Sequence, residues 1–307
     1  MKKKKDEKKN AKYECMDGDY TIKYDIRRFP PVHSDAISTV SSIQNGLCLS
    51  GSKDKSVILF DFHIGSTVEK WKHDKEVTKT TYDPKSDTFY SCSRDTTIKQ
   101  WSRNNKNPVN TYNGHFMVVT GIAVNSDGER LCSGSRDNSL RIWDTKTAQC
   151  INQNCISRNL VTHIKWAKDS HLVAQTGEDK ELRIWDARTL SVTVTFPKKQ
   201  HIQMWCDWSE DQNSCLTCSN GFGGNGCEAT LWDLRNAKPV SEFKGHQESC
   251  CSAIFAQSSM CDRPCILTSS NDSTIKVWDY VTSECLSTMP LPASGPVTSL
   301  ALFPDAR

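Results

Sequence analysis

An aspartate followed six positions later by a tryptophan recurs at Asp95/Trp101, Asp137/Trp143, Asp179/Trp185 and Asp272/Trp278, with Asp54/Phe60 as a variant first copy. With Trp232 included, the aromatic positions 60, 101, 143, 185, 232 and 278 are separated by 41, 42, 42, 47 and 46 residues. A unit this short cannot bury its apolar face alone and must stack on its neighbours. A period of ~40–45 residues is that of a four-stranded propeller blade. The repeat therefore predicts both a fold and a function carried by binding.

The third copy shows the internal order of a unit most clearly. Gly114-His115 precedes the apolar run Val119–Val124, then come Asn125-Ser-Asp-Gly128, Leu131–Asp137 and Leu140–Asp144. The short β-prone runs and the Asp127-Gly128 turn signal predict consecutive antiparallel strands. Helical periodicity is not sustained anywhere. The expectation is an all-β propeller over 20–307, with six complete blades and an incomplete seventh. The expected blade cores are 33–62, 73–102, 115–144, 158–187, 199–234 and 246–279, with a partial seventh at 295–307.

The chain of 307 residues carries a formal charge of +3, but seven lysines fall within residues 1–12 against Asp6 and Glu7. The remainder is therefore close to neutral, which gives the body no global bias toward nucleic acid or anionic membrane. Lysine self-repulsion and the lack of apolar residues before Tyr13 predict a disordered tail over 1–19. That tail is either a solvated leader or a polybasic address making weak contact with anionic lipid. There is no run of ~18 apolar residues and no signal-like apolar core. The sequence thus predicts a soluble, intracellular, monomeric protein. Of the fifteen cysteines, Cys48, Cys92 and Cys132 fall in predicted strands as small hydrophobes. Cys215-x-x-Cys218 has no partner pair at zinc-ribbon spacing, so structural thiols are expected and no metal.

The Gly-His and Trp-Asp pairs at the ends of these units resemble the WD-repeat family, over about residues 20 to 307. The resemblance implies a hydrogen-bonded network of His, strand Ser or Thr, turn Asp and Trp across each blade. The matching sets are His73, Ser91, Asp95, Trp101; His115, Ser133, Asp137, Trp143; and His246, Thr268, Asp272, Trp278. The first copy sets Phe60 beside His33, Ser50 and Asp54, without an indole donor. Ser, His and Asp together also invite a hydrolase reading. An enzyme needs one such constellation, whereas equivalent sets at several blade positions point to structure.

Copies four and five depart from the pattern. Arg158 stands where His is expected and Gln175 where Ser is expected; copy five aligns Gly221 with the turn Asp and inserts Asn220-Gly-Phe-Gly-Gly-Asn-Gly-Cys227. Glycine at this density requires positive φ or close backbone approach. Phe222 is either tucked onto the blade or displayed to a partner.

A propeller closes when its first and last segments share a blade, which removes exposed strand edges. Tyr20–Ile26 is placed to be the outer strand of a final blade, and Gly295–Pro304 reads as the first strand of a seventh unit. The two middle strands are missing, so a truncated seven-bladed form is expected, or else a six-bladed ring with other partners at the seam.

The WD-repeat resemblance places partner contacts on the face around the central channel. The implied positions before the turn Asp are Lys53, Arg94, Arg136, Glu178 and Asn271, a cationic arc over the first three blades. Near the first-strand starts it implies Ala36, Glu76, Val118, Leu160 and Ile202, with Ser38, Thr78, Thr120, Thr162 and Met204 beside them. Val118, Leu160, Ile202 and Met204 would form an apolar strip rimmed by arginines, the layout of a protein interface; packing into the ring is the other reading.

No phosphate-binding Gly-x4-Gly-Lys-Ser/Thr loop or dinucleotide fingerprint occurs, so no cofactor and no catalysis are expected. Met117–Val124, Ser157-Arg-Asn, Lys199–Gln203 and Cys218–Arg235 are more particular than the repeat requires. They are similar to a WD-repeat subgroup tied to cilium assembly and trafficking, implying a non-catalytic adaptor in the cytoplasm and cilium. Trp185-Asp-Ala-Arg188 and Trp232-Asp-Leu-Arg235 also resemble the WDxR box of cullin-type ubiquitin ligase receptors, the alternative function.

Overall fold

The computed structural model describes residues 11–17, 20–44, 46–256, 264–291 and 295–303, with side chains from Ile26 onward. A two-stranded hairpin comes first, β1 (Ala11–Asp17) and β2 (Tyr20–Ile26), in antiparallel register. Blade one comprises β3 (Ile37–Ser42), β4 (Leu47–Ser52), β5 (Ser56–Asp61) and β6 (Ser66–Lys72). Blade two comprises β7 (Val77–Asp83), β8 (Thr88–Ser93), β9 (Ile98–Ser102) and β10 (Asn110–Tyr112). Blade three comprises β11 (Val119–Val124), β12 (Arg130–Ser135), β13 (Ser139–Asp144) and β14 (Cys150–Cys155). Blade four comprises β15 (Val161–Trp166), β16 (Leu172–Gly177), β17 (Leu182–Asp186) and β18 (Ser191–Thr195). Blade five comprises β19 (Gln203–Trp208), β20 (Ser214–Ser219), β21 (Ala229–Asp233) and β22 (Lys238–Phe243), and blade six β23 (Cys250–Phe255), β24 (Cys265–Ser270), β25 (Thr274–Asp279) and β26 (Cys285–Pro290).

Every blade is a meander in which successive strands pair antiparallel. Burial follows strand position. The second strands are buried on both faces, β12 almost throughout, whereas the fourth strands alternate, β14 and β18 turning every other residue to solvent. This is the pattern of a sheet whose middle is sandwiched and whose rim is wet. Apolar clusters form between consecutive blades, with Trp101, Trp143, Trp185, Trp232 and Trp278 each fully buried within or beside them.

A second row of contacts joins the inner strands. The Ser38 hydroxyl donates to Val77 O at 2.6 Å, and Thr78, Thr120 and Thr162 do the same to Val119, Val161 and Gln203. Sequence reasoning gave these hydroxyls to the partner face; they are consumed in joining each blade to the next.

The ends meet differently from either expectation. Ala11–Asp17, expected within a disordered tail, is a strand, and β2 pairs with β1 and with none of the six blades; residues 1–10 and 18–19 lie outside the described residues. Between blades six and one runs the segment 295–303, which takes up no ladder yet keeps the register of an inner strand. Thr298 Oγ1 donates to Ile37 O at 2.7 Å, the same bond that Thr120 makes to Val161, and Ser299 Oγ accepts from Val40 N. Val297 N donates to Ser270 O, Leu300 and Leu302 pack on the blade-six cluster, and Phe303 meets Phe62 edge-on at 4.6 Å. This latch, with the six inner strands, encloses a central channel of about 630 Å³.

The latch carries a stability prediction. Leu300→Asp with Leu302→Asp puts two charges against an apolar cluster and should cost about 2–4 kcal/mol. Limited proteolysis should then cut first beside blades one and six; unchanged melting and cleavage would show that the latch bears no load.

Candidate protein-interaction face and the networks beneath it

The turn before each third strand explains the repeated aspartate. In blades one to four and six the residue after it, Lys55, Thr96, Asn138, Lys180 or Ser273, sits at a φ of 63–73°. A non-glycine residue rarely adopts that conformation. The aspartate stabilises it by accepting the N–H two positions on, as from Ser56, Thr97, Ser139, Glu181 and Thr274. In blades one, two, three and six its other oxygen takes an imidazole. His73, His115 and His246 place Nδ1 2.8, 2.8 and 2.9 Å from Asp95, Asp137 and Asp272, and Nε2 2.8, 2.7 and 2.8 Å from the hydroxyls of Ser91, Ser133 and Thr268. Trp101, Trp143 and Trp278 donate their indole N–H to those same hydroxyls at 2.7–2.8 Å. With Nδ1 donating to the carboxylate, each hydroxyl donates to Nε2 while accepting from the indole; the tautomer follows from the partners.

These hydroxyls have no access to solvent, so they cannot meet a substrate. They are structural centres on which a histidine from the segment between blades and a tryptophan from the third strand converge. Burial alone would raise the Asp54, Asp95, Asp137 and Asp272 carboxyls. Hydrogen bonds from the hydroxyl two residues on, from the imidazole and from backbone N–H groups outweigh it and hold all four well below the usual carboxylate range. Blade one keeps His33 with Asp54 at 3.0 Å and with Ser50 at 2.8 Å, but Phe60 gives no N–H and packs against Phe29 instead.

Blades four and five solve the same problem with other residues. Arg158, expected at the His position, lies exposed at a φ of 64°. The position belongs to its neighbour Asn159, which is fully buried and exchanges two bonds with Gln175 at 2.8 and 3.1 Å. Gln175 Oε1 accepts from Trp185, and Arg183 spans from Asn159 to Asp179. In blade five Trp232 donates to Thr217, whose hydroxyl passes the chain to buried Gln203. The amide side chains supply both donor and acceptor, which is what a buried indole chain needs once the imidazole is gone.

Above these networks lies one end of the ring. The backbone N–H of Lys53, Arg94, Arg136, Glu178, Asn220 and Asn271 donates to the carbonyl of Ala36, Glu76, Val118, Leu160, Ile202 and Ser249. This ladder brings the two sets of expected contact positions together on one face. The cationic arc is not free charge, however: Arg94 pairs with Glu76 at 2.6 Å and Arg136 with Glu178 at 2.7 Å. Lys53 is exposed without an ion pair among the described residues. Val118, Leu160 and Ile202 are half-buried and Met204 is 36% exposed.

Sequence reasoning missed Phe116 and Met117, which are 72% and 45% exposed just after Gly114-His115. Their signal was legible, since the corresponding residues are Ser34-Asp35, Asp74-Lys75 and Gln247-Glu248 in other copies. Phe222 is displayed, at 78% exposed. It pairs with Asn225 across Gly223 and Gly224, both at positive φ, as a two-residue hairpin. A Cβ on Gly221 would fall 1.9 Å from Asn225 O, so that glycine is obligatory. Gly224 N donates to Gln247 O, which pins the hairpin to blade six. On the turns after Trp185 and Trp232, Arg188 and Arg235 fold back onto Asp186 and Asp233. Cys215 and Cys218 are buried without solvent access, and burial pushes both thiols well up.

Two predictions follow from the networks. Ser133→Ala strands an indole N–H and an imidazole nitrogen, whereas Ser50→Ala strands only the imidazole. The first should cost about 1 kcal/mol more in denaturant melts, and equal losses would show that the indole bond contributes nothing. Burial, the largest influence, depresses His33, His163 and His246 below their ordinary value. The unfolded chain therefore binds protons first, and stability falls as pH drops below about 6.5. The depressed carboxyls add a second loss below about pH 4. A melting temperature flat from pH 7 to pH 5 would contradict the first stage.

The family model described as "WD domain, G-beta repeat" matches residues 25–61, 65–102, 106–144, 150–186 and 237–279, well over half of the chain. The unmatched stretch holds the glycine hairpin. Pre-mRNA-processing factor 19 of Mus musculus is 34% identical over 86 residues, 28% of this chain and 17% of that protein. Its Caenorhabditis elegans counterpart is 29% identical over 96 residues, 31% of this chain and 20% of that protein. The matched part is thus no more than about a fifth of these relatives. The chain belongs to the WD40 repeat family, whose propellers serve as protein-interaction scaffolds.

Proposed function

We propose that this protein is a non-catalytic adaptor that captures a protein partner on the apolar crescent formed by Phe116, Met117, Val118, Leu160, Ile202, Met204 and Phe222. The exposure of Phe116, Met117 and Phe222 at one end of a rigid ring carries this reading. Large apolar side chains held out by a fixed backbone lose little entropy on docking, and the Arg136–Glu178 pair supplies a polar rim.

The particular stretches Met117–Val124, Ser157-Arg-Asn, Lys199–Gln203 and Cys218–Arg235 are similar to WD repeat-containing protein 31, which supports a role in cilium assembly and ciliary protein trafficking, in the cytoplasm and at the cilium or its base. The segment shared with pre-mRNA-processing factor 19 favours a second reading, an adaptor in pre-mRNA processing. Proximity labelling in ciliated cells separates them: ciliary neighbours support the first, splicing proteins the second. The ligase-receptor alternative has less support, because both WDxR arginines are engaged by their own aspartates.

Arg136→Glu, Leu160→Asp and the pair Phe116→Ala/Phe222→Ala should each lower partner recovery at least tenfold, the loss of about 1.4 kcal/mol or more. Their melting temperatures should stay near that of the parent. Parallel loss of folding and capture would assign these residues to the core.

A further inference from the structure

The channel holds a layer of side chains that protein capture at the end face does not use. The residue after each joining position on the inner strands, Thr39, Lys79, Gly121, His163, Trp205 or Ser252, has the same register against its second strand. Lys79 of blade two reaches across so that Nζ stands 4.0 Å from the Trp205 ring centroid of blade five. His163 stacks on the same indole at 4.1 Å and 20°. Ammonium and imidazole cannot both lie that close on one side, so they sandwich the ring.

Charge in this layer is not balanced. The channel is lined by Lys79, Lys85, Lys165, Lys168, Asp169 and Asp207 among its charged groups. Lys165 takes Asp207 at 3.5 Å and Lys85 takes Asp127 outside the channel, while Lys79 has no carboxylate partner among the described residues. The groups nearest its charge include Cys92, Cys206, Cys218 and Cys251, thiols that burial holds protonated at neutral pH. Burial lowers the Lys79 ammonium to about 8, the sign of a cation whose lost hydration is poorly replaced. The indole on which Lys79 rests is itself enclosed. Trp205 is 7% exposed, and its Nε1 is buried with no hydrogen-bond partner. A buried N–H left alone costs about 1–3 kcal/mol.

We propose that the channel is a binding site for a small oxyanion group, a carboxylate or a phosphate carried by a metabolite that fits the cavity, with Lys79 as its counter-ion and the Trp205 indole beside it. An anion would balance that cation, and charge-assisted bonds of this kind are the strong ones; the enclosed Trp205 N–H beside it reports the change in charge around its ring. The site lies inside the ring, apart from the crescent, and stands or falls independently of partner capture.

The test follows the Trp205 indole N–H resonance, assigned with Trp205→Phe, during titration of the full chain with sodium phosphate or sodium acetate at constant ionic strength. A saturable shift with either anion is expected; phosphate alone assigns a phosphate-bearing ligand and acetate alone a carboxylate. Lys79→Met should weaken that affinity at least tenfold while Lys79→Arg keeps it, and Lys79→Gln replaces the methionine variant if that one does not fold. No saturable shift with either anion, or an undiminished one without the charge at position 79, overturns the proposal.

Discussion

Five of the six blades must hide an indole N–H at the end of the third strand. The large aromatic that ends the third strand seals the gap to the preceding blade, and its nitrogen goes with it into a place that water does not reach. A hydroxyl on the second strand satisfies it, a histidine or amide fixes the hydroxyl, and the turn aspartate fixes the histidine. Strand pairing, turn conformation and blade packing are therefore one coupled constraint, and a change in any member is felt by the others. Blade one shows the converse: where the aromatic is Phe60, no donor needs hiding and an edge-on phenyl contact replaces the bond.

The fold was legible because that constraint leaves a periodic trace. The spacing of Asp95 to Trp101 and its repeats fixed the units, and Asp127-Gly128 marked a turn between strands. What could not be read is where one buried polar group substitutes for another. Arg158 lines up with the missing histidine by distance along the chain, yet a guanidinium has no acceptor to offer a hydroxyl or amide. Asn159, one residue on, has both functions and takes the place. Blade five hides its amide still further away, at the start of β19, because the donor chain there runs through Thr217.

The face was legible in outline and wrong in its charge. Sequence places Arg94 and Arg136 correctly at the turns, but Glu76 and Glu178 stand beside them only because each turn bonds to the start of an inner strand. Such exposed pairs add little stability. They leave the apolar residues as the distinctive chemistry of that end of the ring. Phe116 and Met117 escape the periodic pattern because the corresponding positions of other copies hold polar residues.

The row of hydroxyls that ties blade to blade runs from Ser38 to Thr162 and then stops, because Met204 and Cys251 occupy the next two places. Blades five and six are joined instead by the Phe255 N–H donated to Asp207 and by the Gly224 N–H donated to Gln247 O. The hairpin that carries Phe222 thus bridges two blades that also share a large apolar cluster. A force applied to that phenyl ring is delivered through Gly224 to Gln247, at the seam between blades five and six.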